Sequence, residues 1–177
     1  MRFSVLDFKL GTLNFVLIAL CVVCGCATDY SWRSSVPADA RTVTVPTFRN
    51  ESNVSEVGVI ASRQLSREFQ REGTFKVRTS GEAAIEVQGV IKSVSPALAA
   101  YNRRAGGRVA SYNLGATAEI SVIDKRTRKV LVDNRKYVAN AMFTAGQDRT
   151  TAIRDASGRL MDDLARQVVD DILNLKW

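Results

Sequence analysis

Cys26 is the one side chain placed for covalent chemistry. It follows Val23-Cys24-Gly25, an aliphatic residue and two small ones. Small residues before a cysteine suit the pocket of a lipoprotein signal peptidase, and the Cys26 thiol is the nucleophile that takes up diacylglycerol. Ahead of them lie Arg2, Lys9 and an uncharged run from Leu10 to Val23. That run is shorter than the ~20 apolar residues of a membrane span and fits the apolar core of an export signal. Residues 1–25 are therefore expected to be removed, leaving Cys26 as the acylated, palmitate-bearing first residue. Cys21 and Cys24 go with the signal, so no disulfide framework is available and the mature fold must rest on a packed core.

The remaining chemistry is sparse. The chain has no histidine, which removes histidine triads, histidine metal sites and histidine general bases. The acid pairs Asp162-Asp163 and Asp170-Asp171 are sequence neighbours on a helix, so they splay apart. Arg104-Ala105-Gly106-Gly107 follows a loop and lacks the spacing of a phosphate-cradling turn. We expect no catalytic residue, no metal and no cofactor. What the chain does have is positive charge, with 25 Lys and Arg against 18 Asp and Glu. Removal of Arg2, Lys9 and Asp7 with the signal leaves a net +6. Export argues against nucleic acid as the partner of that charge, and phosphorylated envelope lipids are the abundant alternative. Arginine is suited to them, because guanidinium donates charge-assisted, bidentate hydrogen bonds to phosphate. Arg103, Arg104 and Arg108 cluster in one loop, and Lys125, Arg126, Arg128 and Lys129 in a hairpin turn. The strand between them puts the clusters ~50 Å apart, so they cannot form one site.

Residues 27–40 are small, polar and aperiodic, and read as a tether; residues 41–177 read as one domain. A strand is expected over 41–48, with Pro46 at its end or on an edge. Val57, Ala61, Leu65 and Phe69 form one stripe of a helix over about 55–72, capped by Asn53 or Ser55 and closed at Gly73. A short strand at Phe75 and Val77 should pair in parallel with the first. Ile85, Val87, Gly89 and Ile91 alternate as a strand, and residues 96–107 read as a loop. Alternation is clearest from Ala110 through Tyr112, Leu114, Ala116, Ala118 and Ile120 to Val122, and Val130 to Phe143 returns antiparallel. A final helix spans about Thr151 to Leu173, with Thr150 or Thr151 as its cap. Because each long strand is apolar on one side only, both helices should cover the same face. The expected fold is an α/β (α+β) two-layer sandwich, a mixed sheet of four to five strands with two helices on one face.

With that order on the page, the chain resembles the lipopolysaccharide-assembly lipoprotein family, LptE. The segments that carry the resemblance are Thr42-Val43-Thr44-Val45-Pro46-Thr47-Phe48-Arg49-Asn50-Glu51-Ser52-Asn53 and the stretch from Leu65 to Val77. Ala110-Ser111-Tyr112-Asn113-Leu114, the hairpin from Asp124 to Leu131 and Leu164-Ala165-Arg166-Gln167-Val168 complete it. The resemblance implies a non-enzymatic subunit that plugs an LptD-type outer-membrane β-barrel and binds lipopolysaccharide through its lipid A phosphates. It assigns a basic position to Arg103 or Arg104. A second basic position before the last helix falls at Ala145-Gly146-Gln147, with Arg149 the nearest cation. Ala27 rather than Asp directly after Cys26 points to the outer membrane, periplasm-facing. The competing readings are an auxiliary subunit of an ABC transporter, a peptidoglycan-synthase activator, or a lipid-anchored enzyme.

Overall fold

The structure is a computed structural model and describes residues 36–79, 82–102, 108–144 and 148–177. Its spine is an antiparallel meander of three long strands: β4 (Ile85–Asn102), β5 (Arg108–Asp124) and β6 (Lys129–Thr144). Three short strands join it: β1 (Thr42–Thr44), β2 (Arg49–Asn50) and β3 (Lys76–Val77). The sheet runs β3-β1-β4-β5-β6, with β2 beside β4. β1 and β2 lie parallel to β4, and β3 lies parallel to β1. The sheet is therefore mixed, and the parallel pair implied by the strand–helix–strand order is present.

The alternation in the sequence becomes the core. Leu114, Ala116, Ala118, Ile120 and Val122 of β5 are buried, as are Tyr137, Ala139, Ala141 and Phe143 of β6. Two helices lie against one face of the sheet: α1 (Val57–Glu72) and α2 (Arg149–Leu173). They touch each other as well, and the Gln64 amide approaches the Gly158 carbonyl at 3.5 Å. Val57, Ala61, Leu65 and Phe69 from α1 and Ala156, Leu160, Leu164, Val168 and Ile172 from α2 close a single core cluster. Outward residues such as Gln88 and Lys92 stay exposed, so the other face of the sheet is open.

Several boundaries differ from the sequence expectation, each for a local reason. The strand expected over 41–48 breaks at Val45 to Phe48 into β1 and β2, since Pro46 has no N–H to give the ladder. The residues expected as a loop from 96 are strand: β4 continues to Asn102, with Pro96 opposite Leu114 and Asn102 opposite Arg108. A register shift between Ile91 and Ser93 hides this, because the inward set switches from Ile85, Val87 and Ile91 to Val94. Neither Asn53 nor Ser55 caps α1; Glu56 holds that position at φ 65 with no side-chain cap, while Asn50 and Ser52 hydrogen-bond among themselves. At the other end Gly73, at φ 86, donates its N–H to the Phe69 carbonyl, as expected of a left-handed terminator. The cap of α2 is Asp148, whose carboxylate accepts the Thr151 N–H at 3.0 Å, so the helix starts earlier than Thr151. Residues 38–40 form a single 3-10 turn, and Val36 and Ala40 are buried rather than part of a free tether.

Phe48 locks α1 to the sheet. It is 3 % exposed, and its ring covers Gly89, where an added Cβ would stand 2.4 Å from a ring carbon. Its carbonyl faces Gly58, where an added Cβ would stand 2.3 Å from the oxygen. Glycine at both positions is thus a packing requirement. Alanine in place of glycine normally stabilises a helix interior by up to about 1 kcal/mol. At Gly58 the sign should reverse, because the obstacle is backbone: urea unfolding of Gly58→Ala is expected to show a loss of about 1–3 kcal/mol.

Candidate functional site

Two ends of the meander carry the cationic residues singled out in the sequence, and the structure treats them differently. β5 extends through 17 residues, which separates its ends by roughly 50 Å at ~3.3 Å per residue. At the far tip Arg108 opens β5 opposite Asn102. Arg103 and Arg104 lie outside the described residues, as does the side chain of Arg108. The strands beneath them are well braced. Tyr112 and Phe143 are cross-strand partners with stacked rings 5.2 Å apart and 16° from parallel. The Arg159 guanidinium of α2 donates to the Met142 carbonyl at 3.0 Å, tying the helix to the same region. Arg149 is the first residue of α2, next to the Asp148 cap; its side chain lies outside the described residues. Cys26 lies outside them too.

At the near end the hairpin turn holds Lys125, Arg126 and Arg128, and here the geometry is explicit. Asp124 is 5 % exposed, yet it is fully engaged. Its carboxylate accepts the Arg126 guanidinium at 3.2 and 2.8 Å, the Arg126 N–H at 2.9 Å and the Thr127 N–H at 3.3 Å. Burial pushes the Asp124 carboxyl up, but the hydrogen bonds from Arg126 and Thr127 outweigh it and hold the group below the usual range. The same Arg126 guanidinium also pairs with Asp39 in the 3-10 turn. Arg126 therefore latches the chain entering the domain to the β5–β6 turn, and its donors are used internally. Lys125 pairs with Glu86 at 3.1 Å; hydrogen bonds from Gln88 and Lys125 hold the Glu86 carboxyl low. Arg128 stays exposed at φ 57. Of the basic cluster in this turn, Arg128 and Lys129 are left without an ion pair among the described residues.

The latch was not legible in the sequence, since Asp39 is 87 residues from Arg126. A second feature without a sequence signal is a groove of about 400 Å³ between the first turns of the two helices. Val54, Ile60, Ile153 and Arg154 line it. The tightest polar cluster elsewhere joins Arg135 and Tyr137 of β6 to Asp171 of α2. Burial first, then the Asp171 carboxylate, pushes the Tyr137 phenol up, so it stays a neutral donor that ties strand to helix. These arrangements position charge; among the described residues they assemble no nucleophile with a base.

The comparisons with known proteins agree with this picture. The model of the family described as LptE, lipopolysaccharide-assembly, matches residues 40–174. No curated protein sequence matches the chain. Among solved structures, a protein of Xanthomonas campestris is similar with a TM-score of 0.54 at 9% identity, covering 76% of this chain and 84% of its own. A hypothetical protein of Chlamydia trachomatis gives a TM-score of 0.50 at 12% identity over 76% of this chain and 96% of that one. At such identities the likeness concerns the fold alone.

The latch carries a pH prediction. A carboxyl held low in the folded state stabilises it above the unfolded value near 3.9, and that contribution is lost as pH falls through the folded value. Asp124→Ala is expected to lower stability at pH 7 by about 1.5–3 kcal/mol. Thermal melts from pH 7 down to about pH 2 should show the gap between the two proteins narrowing below about pH 4. A gap independent of pH would sink the role given to this carboxylate.

Proposed function

The chain belongs to the LptE lipopolysaccharide-assembly family, and from that premise we propose that it is the lipid-anchored, non-enzymatic partner of an LptD-type β-barrel. Membership supports an envelope lipoprotein with a role in lipopolysaccharide assembly. The finer reading is ours: an outer-membrane, periplasm-facing subunit that plugs the barrel and meets lipid A phosphates with Arg103, Arg104 and Arg108. The observation that carries it is the pairing of β4 with β5 as far as Asn102 and Arg108. Chain connectivity then keeps Arg103 within ~3.8 Å of Asn102, Cα to Cα, and Arg104 one residue further along. Arg103 and Arg104 thus belong to the connection between two paired strand ends, and Arg108 to the first residue after it. Hydrogen bonds from arginine to phosphate are directional, so a stiff support makes them more effective. The turn at the opposite end is the weaker candidate, because Lys125 and Arg126 already have partners. Arg149 is a further basic contact beside the start of α2.

Two measurements test this reading. Affinity purification in mild detergent should recover an intact lipopolysaccharide-exporting barrel; recovery of an inner-membrane ATPase system instead would overturn the proposal. Lipopolysaccharide binding by the Arg103→Ala, Arg104→Ala double variant should fall at least tenfold, with a shallower salt dependence, while the melting temperature stays put. Unchanged affinity and salt dependence would remove the tip from the site.

A further inference from the structure

The end of the sheet opposite the arginine tip combines two features that neither the family nor the lipopolysaccharide reading uses. The first is chain entry. Val36 is 2 % exposed, Arg41 donates to the Val36 carbonyl at 3.2 Å, and the Asp39–Arg126 pair fixes the turn between them. The chain from Cys26 therefore joins the domain at this end, and the ten residues from Cys26 to Val36 span at most ~35 Å.

The second is a row of unpaired cations. Hydrogen bonds align one row across the end of the sheet: the Lys76 N–H reaches the Arg41 carbonyl, the Ala84 N–H the Thr42 side-chain hydroxyl and the Lys125 N–H the Ala84 carbonyl. The Trp177 ring stands 5.9 Å from Phe75, which brings Lys176 to the same end. Lys76, Arg78, Arg128, Lys129 and Lys176 are all exposed, and none makes an ion pair within 4.0 Å among the described residues. Of the nearby carboxylates, Glu72 accepts the Thr74 N–H and hydroxyl, Glu86 is paired with Lys125, and Glu82 is exposed. The free cations run from β3 to the β5–β6 turn, across a sheet width of roughly 20 Å at ~4.8 Å per strand. They are spread along an edge rather than converging on a point. Such a row suits a surface of many phosphates and not a single bound anion.

We propose that this end of the domain is a headgroup-binding face that rests on the anionic phospholipid surface of the leaflet holding the Cys26 acyl chains. The proposal rests on the lipidation of Cys26 for its geometry, but the charge interaction stands by itself and is tested without it. The domain has its own closed core from Val36 onward, so the chain from residue 26 with Cys26→Ser is the protein to use. Its co-flotation is measured with vesicles of neutral phosphatidylcholine alone and with added phosphatidylglycerol, both free of lipopolysaccharide. Binding is expected to the anionic vesicles only, and to be lost between 0.1 and 1 M salt as the screening length shrinks from ~10 to ~3 Å. Each cation near an anionic surface is expected to contribute about fivefold, so Lys76→Gln, Arg128→Gln and Lys129→Gln together should weaken partitioning roughly 100-fold. Lys136→Gln, on a different part of β6, is the control and should bind as the parent does. Equal binding to both vesicle types, or a triple variant that floats like its parent, would overturn the proposal. Binding that appears only when lipopolysaccharide is added would overturn it too. Absence of acyl label on Cys26 in cells would instead sink the anchoring reading and leave the vesicle result intact.

Discussion

β5 is hydrogen-bonded on both sides along nearly its whole length, and every other feature of the domain follows from that. It pairs with β4 from Asp124 down to Arg108 and with β6 from Asp124 to Ser111. A strand held this way cannot slip by one residue without moving Leu114, Ala116, Ala118, Ile120 and Val122 to the open face. Each of those residues is buried, and large side chains among them are each worth ~1.5–3 kcal/mol in transfer from water. The register is fixed by burial, and the fixed register then decides which side the helices occupy. Alanine at positions 116, 118, 139 and 141 keeps the strands' inner surface low, and α2 packs against β5 and β6 with Leu160 and Leu164 in the same buried core.

Elements whose signal is purely local were legible in the sequence. The β5 alternation, the α1 stripe and the Gly73 terminator each depend on residues a few positions apart, and each stands where the spacing put it. The misses share a different origin. β4 from Pro96 onward reads as a loop in the sequence because the register shift near Lys92 breaks the period that identifies a strand. Pro96 and the run of small residues after it strengthened that impression, since neither contributes a strand signal of its own. Their strand state comes from β5, which pairs with the stretch from Ser93 to Asn102 at every position except Ala99. The cap of α2 was placed on a threonine because the threonines adjoin the apolar stripe, whereas the polar start of the helix extends to Asp148. Of the functional groups, the identity of the basic clusters was readable. Their state was not, because the Asp39–Arg126–Asp124 latch joins positions far apart in the chain.

That latch shows why counting cations is a poor guide to binding. Arg126 and Arg128 sit two residues apart in one turn and looked equivalent. Arg126 is fixed by a carboxylate that would be destabilising if left alone at 5 % exposure, so its charge compensates a buried one. Arg128 faces water at a left-handed position and has no such duty. Only the second kind of cation has donors free for an external phosphate. The same distinction divides Lys125, held by Glu86, from Lys129, which is not.

The length of the meander holds its two ends, and with them the two proposed anion-binding regions, far apart. The start of β5 at Arg108 lies roughly 50 Å along the sheet from the turn end. The chain before Val36 reaches only ~35 Å from that turn end. If Cys26 carries the acyl group, the turn end is tethered within that distance of the leaflet while the tip has no such restriction. Cations at the turn end then meet headgroups held within one tether length, and they act once the face comes within the ~10 Å screening length. On the two proposals, a single stiff sheet would keep the two sets of cations from competing for the same lipid, by a separation several screening lengths long.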